Sequence, residues 1–262
     1  MTGNRIYRHT GAAQAAEACG KFILERLDTA LASAPRATLA ISGGNSPRPM
    51  FEFFAASGFD WQRVDVFWID ERHVPRTDPQ SNFKMTRDTW LAPAAVPPMS
   101  IHAVDTSVPP EESARRYADE IRRCFFGPGN TFPGEVPKVE IPKFDVVHLG
   151  MGPDCHTASL FPGEPLIDDR TGLTAAVWVE KMKQWRVTLL PGVLIAARCA
   201  AMLITGSDKA EPLCAALYGT HDPQRCPAQL ILRDRPSPAA PGVSISGAAL
   251  FVDDAASRLV PG

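Results

Sequence analysis

At 262 residues, with 45% hydrophobic and 21% charged side chains, the chain is composed like a globular protein that can bury a sizeable core. A formal net charge of −2 excludes an overall electrostatic pull towards nucleic acid or anionic membranes, so any anion binding must come from local basic groups. No apolar run approaches the ~20 residues of a membrane span, and the N-terminus carries no signal-peptide core, so a cytoplasmic protein is expected.

The first element predicted is a helix over 10–34. Ala16, Cys19, Ile23, Leu27 and Leu31 recur at helical spacing and Pro35 ends it. A short buried strand over 38–41 leads into Ser42-Gly43-Gly44-Asn45-Ser46-Pro47. There Ser46 and Pro47 read as the N-cap and first position of a helix with Met50, Phe53 and Phe54 on its inner face. Residues 64–69 form the next strand and end on Asp70-Glu71-Arg72. A polar loop through Ser81 and Asn82 then reaches a short helix over 83–91.

Pro110 to Phe126 reads as a helix with Ala114, Tyr117, Ile121 and Phe125 on one face. Residues 127–143, rich in Gly and Pro, read as a surface loop. The apolar run 144–149 is a strand. It is followed by Gly150-Met151-Gly152-Pro153-Asp154-Cys155-His156, with Asp154 placed to cap a helical turn that Pro162-Gly163 stops. Further on, 178–179 and 200–204 read as strands, and 186–189 starts a segment leading into a helix through Ala197. Thr205 to Lys209 turns into a helix capped by Ser207 and closed near Gly219. Strands alternating with helices predict a mostly parallel α/β sheet in a single domain over 1–262.

Three strand ends carry residues suited to anions. Ser42-Gly43-Gly44-Asn45-Ser46 is a strand-to-helix glycine loop whose N–H groups can cradle a phosphate; a plain turn is the other account of it. Lys209 in a first helical turn opposes the helix dipole, a conflict that a bound anion removes and that exposure to water also relieves. In Asp70-Glu71-Arg72 the guanidinium can take a carboxylate, phosphate or developing oxyanion, or form a surface ion pair. His156 after a strand end is equally consistent with catalysis and with an ordinary loop histidine.

No nucleotide-binding glycine motif, nucleophile elbow or zinc-protease motif occurs, so a nucleotide cofactor, a serine nucleophile of that type and a zinc-protease site are not expected. Cys155 adjoins His156, but neighbouring side chains diverge, which argues against a thiol nucleophile. The six dispersed cysteines contain no C-x-x-C pair and read as reduced, mostly buried thiols. His9, His73, His102, His148 and His221 read as structural or exposed.

Taken in order, several motifs resemble the 6-phosphogluconolactonase family. They are Ser42-Gly43-Gly44 with Pro47, Asp70-Glu71-Arg72 with Ser81-Asn82, Leu149 to Asp154 with His156 to Gly163, Arg186-Val187-Thr188, and Gly206 with Lys209. The resemblance implies a three-layer α/β/α Rossmann-like fold and hydrolysis of 6-phosphogluconolactone to 6-phosphogluconate in the pentose phosphate pathway, without a metal. It implies His156 as the base that activates water, Asp154 and Asp70 beside it, and Arg72 on the developing charge. Ser42, Gly43, Gly44, Asn45, Ser46, Asn82, Arg186 and Lys209 would then surround the substrate and its 6-phosphate.

An imidazole, with an ordinary pKa of about 6.5, suits proton transfer near neutrality. The partner expected is a small sugar-phosphate lactone, and the assembly a monomer or small homo-oligomer. A glucosamine-6-phosphate deaminase-like isomerase and a non-catalytic sugar-phosphate sensor are the alternatives. Cys155 stands where the family usually has glycine, and Ser46 where it usually has threonine.

Overall fold

The computed structural model describes residues 3–127, 140–235 and 247–261. Among them the strands are β1 (Arg5–His9), β2 (Ala37–Ile41), β3 (Val64–Trp68), β4 (Asp70–Arg72), β5 (Ile101–His102), β6 (Val146–Leu149), β7 (Thr174–Val179), β8 (Gln184–Leu189), β9 (Cys199–Ile204) and β10 (Ala249–Asp253). The α-helices are α1 (Ala12–Leu31), α2 (Arg48–Ala56), α3 (Asn82–Thr86), α4 (Pro110–Phe126), α5 (Pro191–Ala196), α6 (Ala210–Tyr218), α7 (Gln229–Leu232) and α8 (Asp254–Ser257).

Seven strands form one parallel sheet in the order β1-β10-β9-β6-β2-β3-β5. Its inner strands are nearly continuous apolar runs, as a sheet covered on both faces requires. Alternate residues face opposite layers. Leu39, Ile41, Val66 and Trp68 join a core with Ile23 and Leu27 of α1 and Phe51 and Phe54 of α2. Ala40, Phe67, Val147 and Leu149 join the other core, with Tyr117 and Ile121 of α4 and Leu213 of α6. This is the expected three-layer α/β/α Rossmann-like arrangement.

The chain leaves the sheet at Ile69, whose N–H donates to the Ile41 carbonyl while its own carbonyl accepts from the N–H of Leu189. That residue therefore bridges the large sheet to a small antiparallel one ordered β4-β8-β7. The Tyr117 hydroxyl accepts from Trp68 N–H and donates to the Trp68 carbonyl, both at 2.8 Å, docking α4 where β3 ends.

Several local expectations change. Strands β1 and β10 were not among the predicted elements. Pro47, not Ser46, occupies the cap position of α2, with no side-chain cap hydrogen bond. The buried face of α2 is Met50, Phe51 and Phe54; Phe53 is turned half out, against Gly20 of α1. Ser207 opens a 3-10 turn over Ser207–Lys209 and makes no side-chain cap bond, although α6 closes at Gly219 as expected. The segment 186–189 belongs to strand β8 and leads, as expected, into a helix, α5, which ends at Ala196. Asp70-Glu71-Arg72 is an inward strand, not an exposed triplet. Most of the loop expected over 127–143 lies outside the described residues.

Glu71 sets the course of the chain after β4. Its buried carboxylate accepts from the backbone N–H groups of Arg72 (2.8 Å), Asn82 (2.7 Å) and Phe83 (2.7 Å), drawing α3 back onto the strand. Burial pushes its pKa up to about 7, with those N–H donors pulling the other way. Between the ordinary carboxylate pKa and 7 the folded protein keeps a proton that the unfolded chain has lost, so stability falls as pH rises through that window. Unfolding in urea between pH 4.5 and 7.5 should show the parent losing about 3 kcal/mol relative to Glu71→Gln. A difference that stays level, or grows in favour of the parent, would contradict this assignment.

Candidate active site

Strands β2 and β6 are neighbours, but the chain runs outward from β2 through β3 to β5 and returns to β6 on the other side. Their carboxyl ends form a topological switch point, where open α/β sheets hold ligands. The last rung between the two segments is Ser42 N–H to the His148 carbonyl at 3.0 Å. Beyond it opens a cleft of about 290 Å³ lined by Ser42, Gly43, Gly44, Asn45, Ser46, Asp70, Arg72, Asn82, His156, Arg186 and Lys209, with His148 and Leu203 among the other lining residues. The site residues expected from the sequence thus share one cleft, except Asp154, which pairs with His156.

Two glycines are required by close approach. A Cβ on Gly43 would lie 2.1 Å from Oδ1 of Asn82, so only glycine lets Asn82 rest against the loop. Asn82 is held there by its Nδ2 donating to the Asp70 carbonyl at 2.9 Å. A Cβ on Gly152 would lie 1.9 Å from Nδ1 of His156, so only glycine lets the imidazole fold over the turn. The turn is closed by Gly152 N–H to the His156 carbonyl (2.9 Å) and Cys155 N–H to the Gly152 carbonyl (3.0 Å). The helical turn expected after Asp154 is absent. The Asp154 carboxylate instead accepts from the N–H of His156 at 3.3 Å and pairs with its Nδ1.

The Lys181 ammonium pairs with the other Asp154 oxygen. Burial opposes ionisation of Asp154, but the hydrogen bonds from His156 and Lys181 outweigh it and hold the carboxyl well below the usual carboxylate range. An ionised Asp154 can only accept, so within the pair it is Nδ1 of His156 that donates. The Phe161 ring supports the group, with the His156 ring centroid 4.3 Å away and Lys181 Nζ 4.4 Å from its centre.

Asp70 is buried and engaged. It accepts from the Ser159 hydroxyl at 2.6 Å and lies 3.5 Å from the guanidinium of Arg186, which suits it to positioning Arg186. Burial pulls the Arg186 pKa down and Asp70 pulls it back. Arg72 donates to the Gln80 carbonyl at 2.8 Å, while its Nε, like that of Arg186, is buried with no hydrogen-bond partner among the described residues. Lys209 precedes α6 and pairs with Asp208 at 2.7 Å. Arg72, Arg186 and Lys209 together make the cleft attractive to an anion.

Three features were not read from the sequence. Lys181 precedes Arg186 in the β7–β8 hairpin, and only the folded hairpin brings it to Asp154. His148 is buried in the cleft floor with both ring nitrogens unpartnered among the described residues, and burial pushes its pKa down to about 3, so it is neutral at working pH. An imidazole closing an apolar strand just before a glycine turn was the available signal. Finally, Cys155 and Cys226 form a disulfide across 71 residues, with Cα atoms 4.9 Å apart, correcting the expectation of six free thiols. Cys19 and Cys199 are buried and free, and Cys124 and Cys214 are free and half-buried. Cys155 has φ +69°, a left-handed conformation that typically costs a non-glycine residue ~1–3 kcal/mol.

Residues 10–238 match the family model described as glucosamine-6-phosphate isomerases/6-phosphogluconolactonase. A 6-phosphogluconolactonase from Synechocystis sp. is 34% identical over 210 residues, covering 80% of this chain and 83% of that protein. One from Nostoc sp. is 36% identical over 210 residues with the same coverage. The solved 6-phosphogluconolactonase structure from Thermotoga maritima superposes with a TM-score of 0.76 at 26% identity, over 95% of this chain and 99% of that one. By its match to the family model and its identity to these relatives, the chain belongs to the glucosamine-6-phosphate isomerase/6-phosphogluconolactonase family.

Proposed function

We propose that the chain hydrolyses 6-phospho-D-glucono-1,5-lactone to 6-phospho-D-gluconate in the oxidative pentose phosphate pathway, by water attack under general-base catalysis from His156. The observation that carries this reading is the Lys181–Asp154–His156 chain beside a cationic cleft. His156 Nε2 takes a proton as water adds to the lactone carbonyl. The developing oxyanion is met by Arg72. When the carbon–oxygen bond of the ring breaks, the same imidazolium returns the proton to the departing ring oxygen, so one water is consumed and no covalent intermediate is needed. Asp154 stabilises the imidazolium, and Lys181 keeps Asp154 charged and in place.

The 6-phosphate is assigned to the N–H groups around Gly43 and Gly44, with Arg186 and Lys209. Anchoring the far end of the substrate positions the carbonyl at the imidazole. No helix among the described residues is long and apolar enough to cross a membrane. A cytoplasmic enzyme acting as a monomer or small homo-oligomer on a free metabolite completes the reading.

With lactone generated in situ by glucose-6-phosphate dehydrogenase, His156→Asn should lower kcat by ~10²-fold or more while KM changes little. Turnover at the parental rate would remove His156 from this role. Arg186→Ala and Lys209→Ala should act mainly on KM, each losing a charge-assisted contact of about 1.5–3 kcal/mol. Unphosphorylated gluconolactone should be a poor substrate; equal efficiency on both lactones would refute the phosphate assignment.

A further inference from the structure

Cys155 lies between Asp154 and His156, and Cys226 lies in the segment joining α6 to α7. The segment is tied to the turn by this bond and by one neighbouring hydrogen bond, Ala228 N–H to the Cys155 carbonyl at 3.0 Å. The backbone of Cys155 is held at φ +69°, a region that L side chains avoid. A cysteine without the crosslink is therefore biased to leave that conformation, carrying both flanking residues with it. Glycine would have no such bias. Cys155 and Cys226 are themselves buried, and a hollow of about 540 Å³ that they line with Asp154, Glu211 and Arg225 is the side from which a small dithiol would approach the bond.

We propose that Cys155–Cys226 is a thiol–disulfide exchange site: the crosslinked form holds Asp154 and His156 in working geometry, and the dithiol form releases them. A thiolate of an external dithiol attacks one sulfur and breaks the Cys155–Cys226 bond, giving a mixed disulfide. The reductant's second thiol then displaces it. Two electrons pass to the protein, the two cysteines end as thiols, and the reductant ends as its own disulfide. Cytosolic disulfides are characteristically transient and redox-sensing. The catalytic consequence rests on the His156–Asp154 reading above.

The test poises the full-length protein in reduced or oxidised dithiothreitol. Cysteine pairing is read by alkylation and mass spectrometry, exchange of segment 150–157 by hydrogen–deuterium exchange, and lactone turnover in parallel. Because a misplacement near 1 Å can cost 10²-fold, reduction should lower kcat by about tenfold with little change in KM, reversibly, and should raise amide exchange in the segment. Cys226→Ser should sit at the lower rate in both buffers. Cys155→Gly should sit at the oxidised parent's rate in both.

Free thiols at both positions in the oxidised parent would overturn the proposal. So would a bond that forms and breaks while kcat and exchange stay within twofold, or a redox response retained in Cys226→Ser. If neither redox form hydrolyses the lactone, the proposed function fails by itself, and alkylation with hydrogen exchange still decides whether the pair controls the turn.

Discussion

The site exists because β2 and β6 lie side by side while the chain departs from them in opposite directions. Adjacent parallel strands whose connections run to opposite edges leave a gap at their carboxyl ends that neither connection fills. Everything that lines the cleft is delivered to that gap. The Gly43-Gly44 loop comes from β2 and the His156 turn from β6. The crossing at Ile69, with one hydrogen bond to each sheet, brings Asp70 and Arg72 in from β4 and Arg186 from β8. The small antiparallel sheet is therefore part of the site, as a frame that carries two guanidinium groups over the end of the large one.

Electrostatics are set by this placement. Each carboxylate near the cleft is committed to a protein partner: Asp154 to His156 and Lys181, Asp70 to Ser159 and Arg186, and Glu71 to three backbone N–H groups. The buried Nε groups of Arg72 and Arg186 have no such partner among the described residues. The excess of donor capacity faces inward, where low dielectric strengthens it. His148, neutral on the floor, adds no charge of its own. A doubly charged phosphate ester and a developing oxyanion are the kind of solute that this distribution favours.

Much of this was legible in the sequence wherever one element decides the outcome alone. Helix α4 runs from Pro110 to Phe126 as its apolar spacing and opening proline indicate, and α1, β2, β3, β6 and β9 lie where their apolar runs placed them. Less was legible where conformation depends on a distant contact. The residues 154–156 were recognisable as a group, but a capped helical turn was expected, and the fold of the turn depends on Gly152 yielding space to an imidazole. Ser46 looked like a cap because cap residues are recognised by type, whereas α2 begins two residues later. Lys181 and Cys226 carry no local signal, since each meets its partner only after the hairpin and the α6–α7 connection have folded. Cys155 was visible as a departure from the family's glycine, but its φ and its bond were not.

In the proposed mechanism one end of the cleft holds the reacting carbonyl against His156 and Arg72 while the other holds the phosphate. A crystal structure of the complex with 6-phosphogluconate tests it directly. The C1 carboxylate is expected within hydrogen-bond reach, about 2.6–3.2 Å, of His156 Nε2 and beside the guanidinium of Arg72. The phosphate is expected against Gly43, Gly44, Arg186 and Lys209. Product bound in the reverse orientation, or with its C1 carboxylate out of reach of His156, would contradict it.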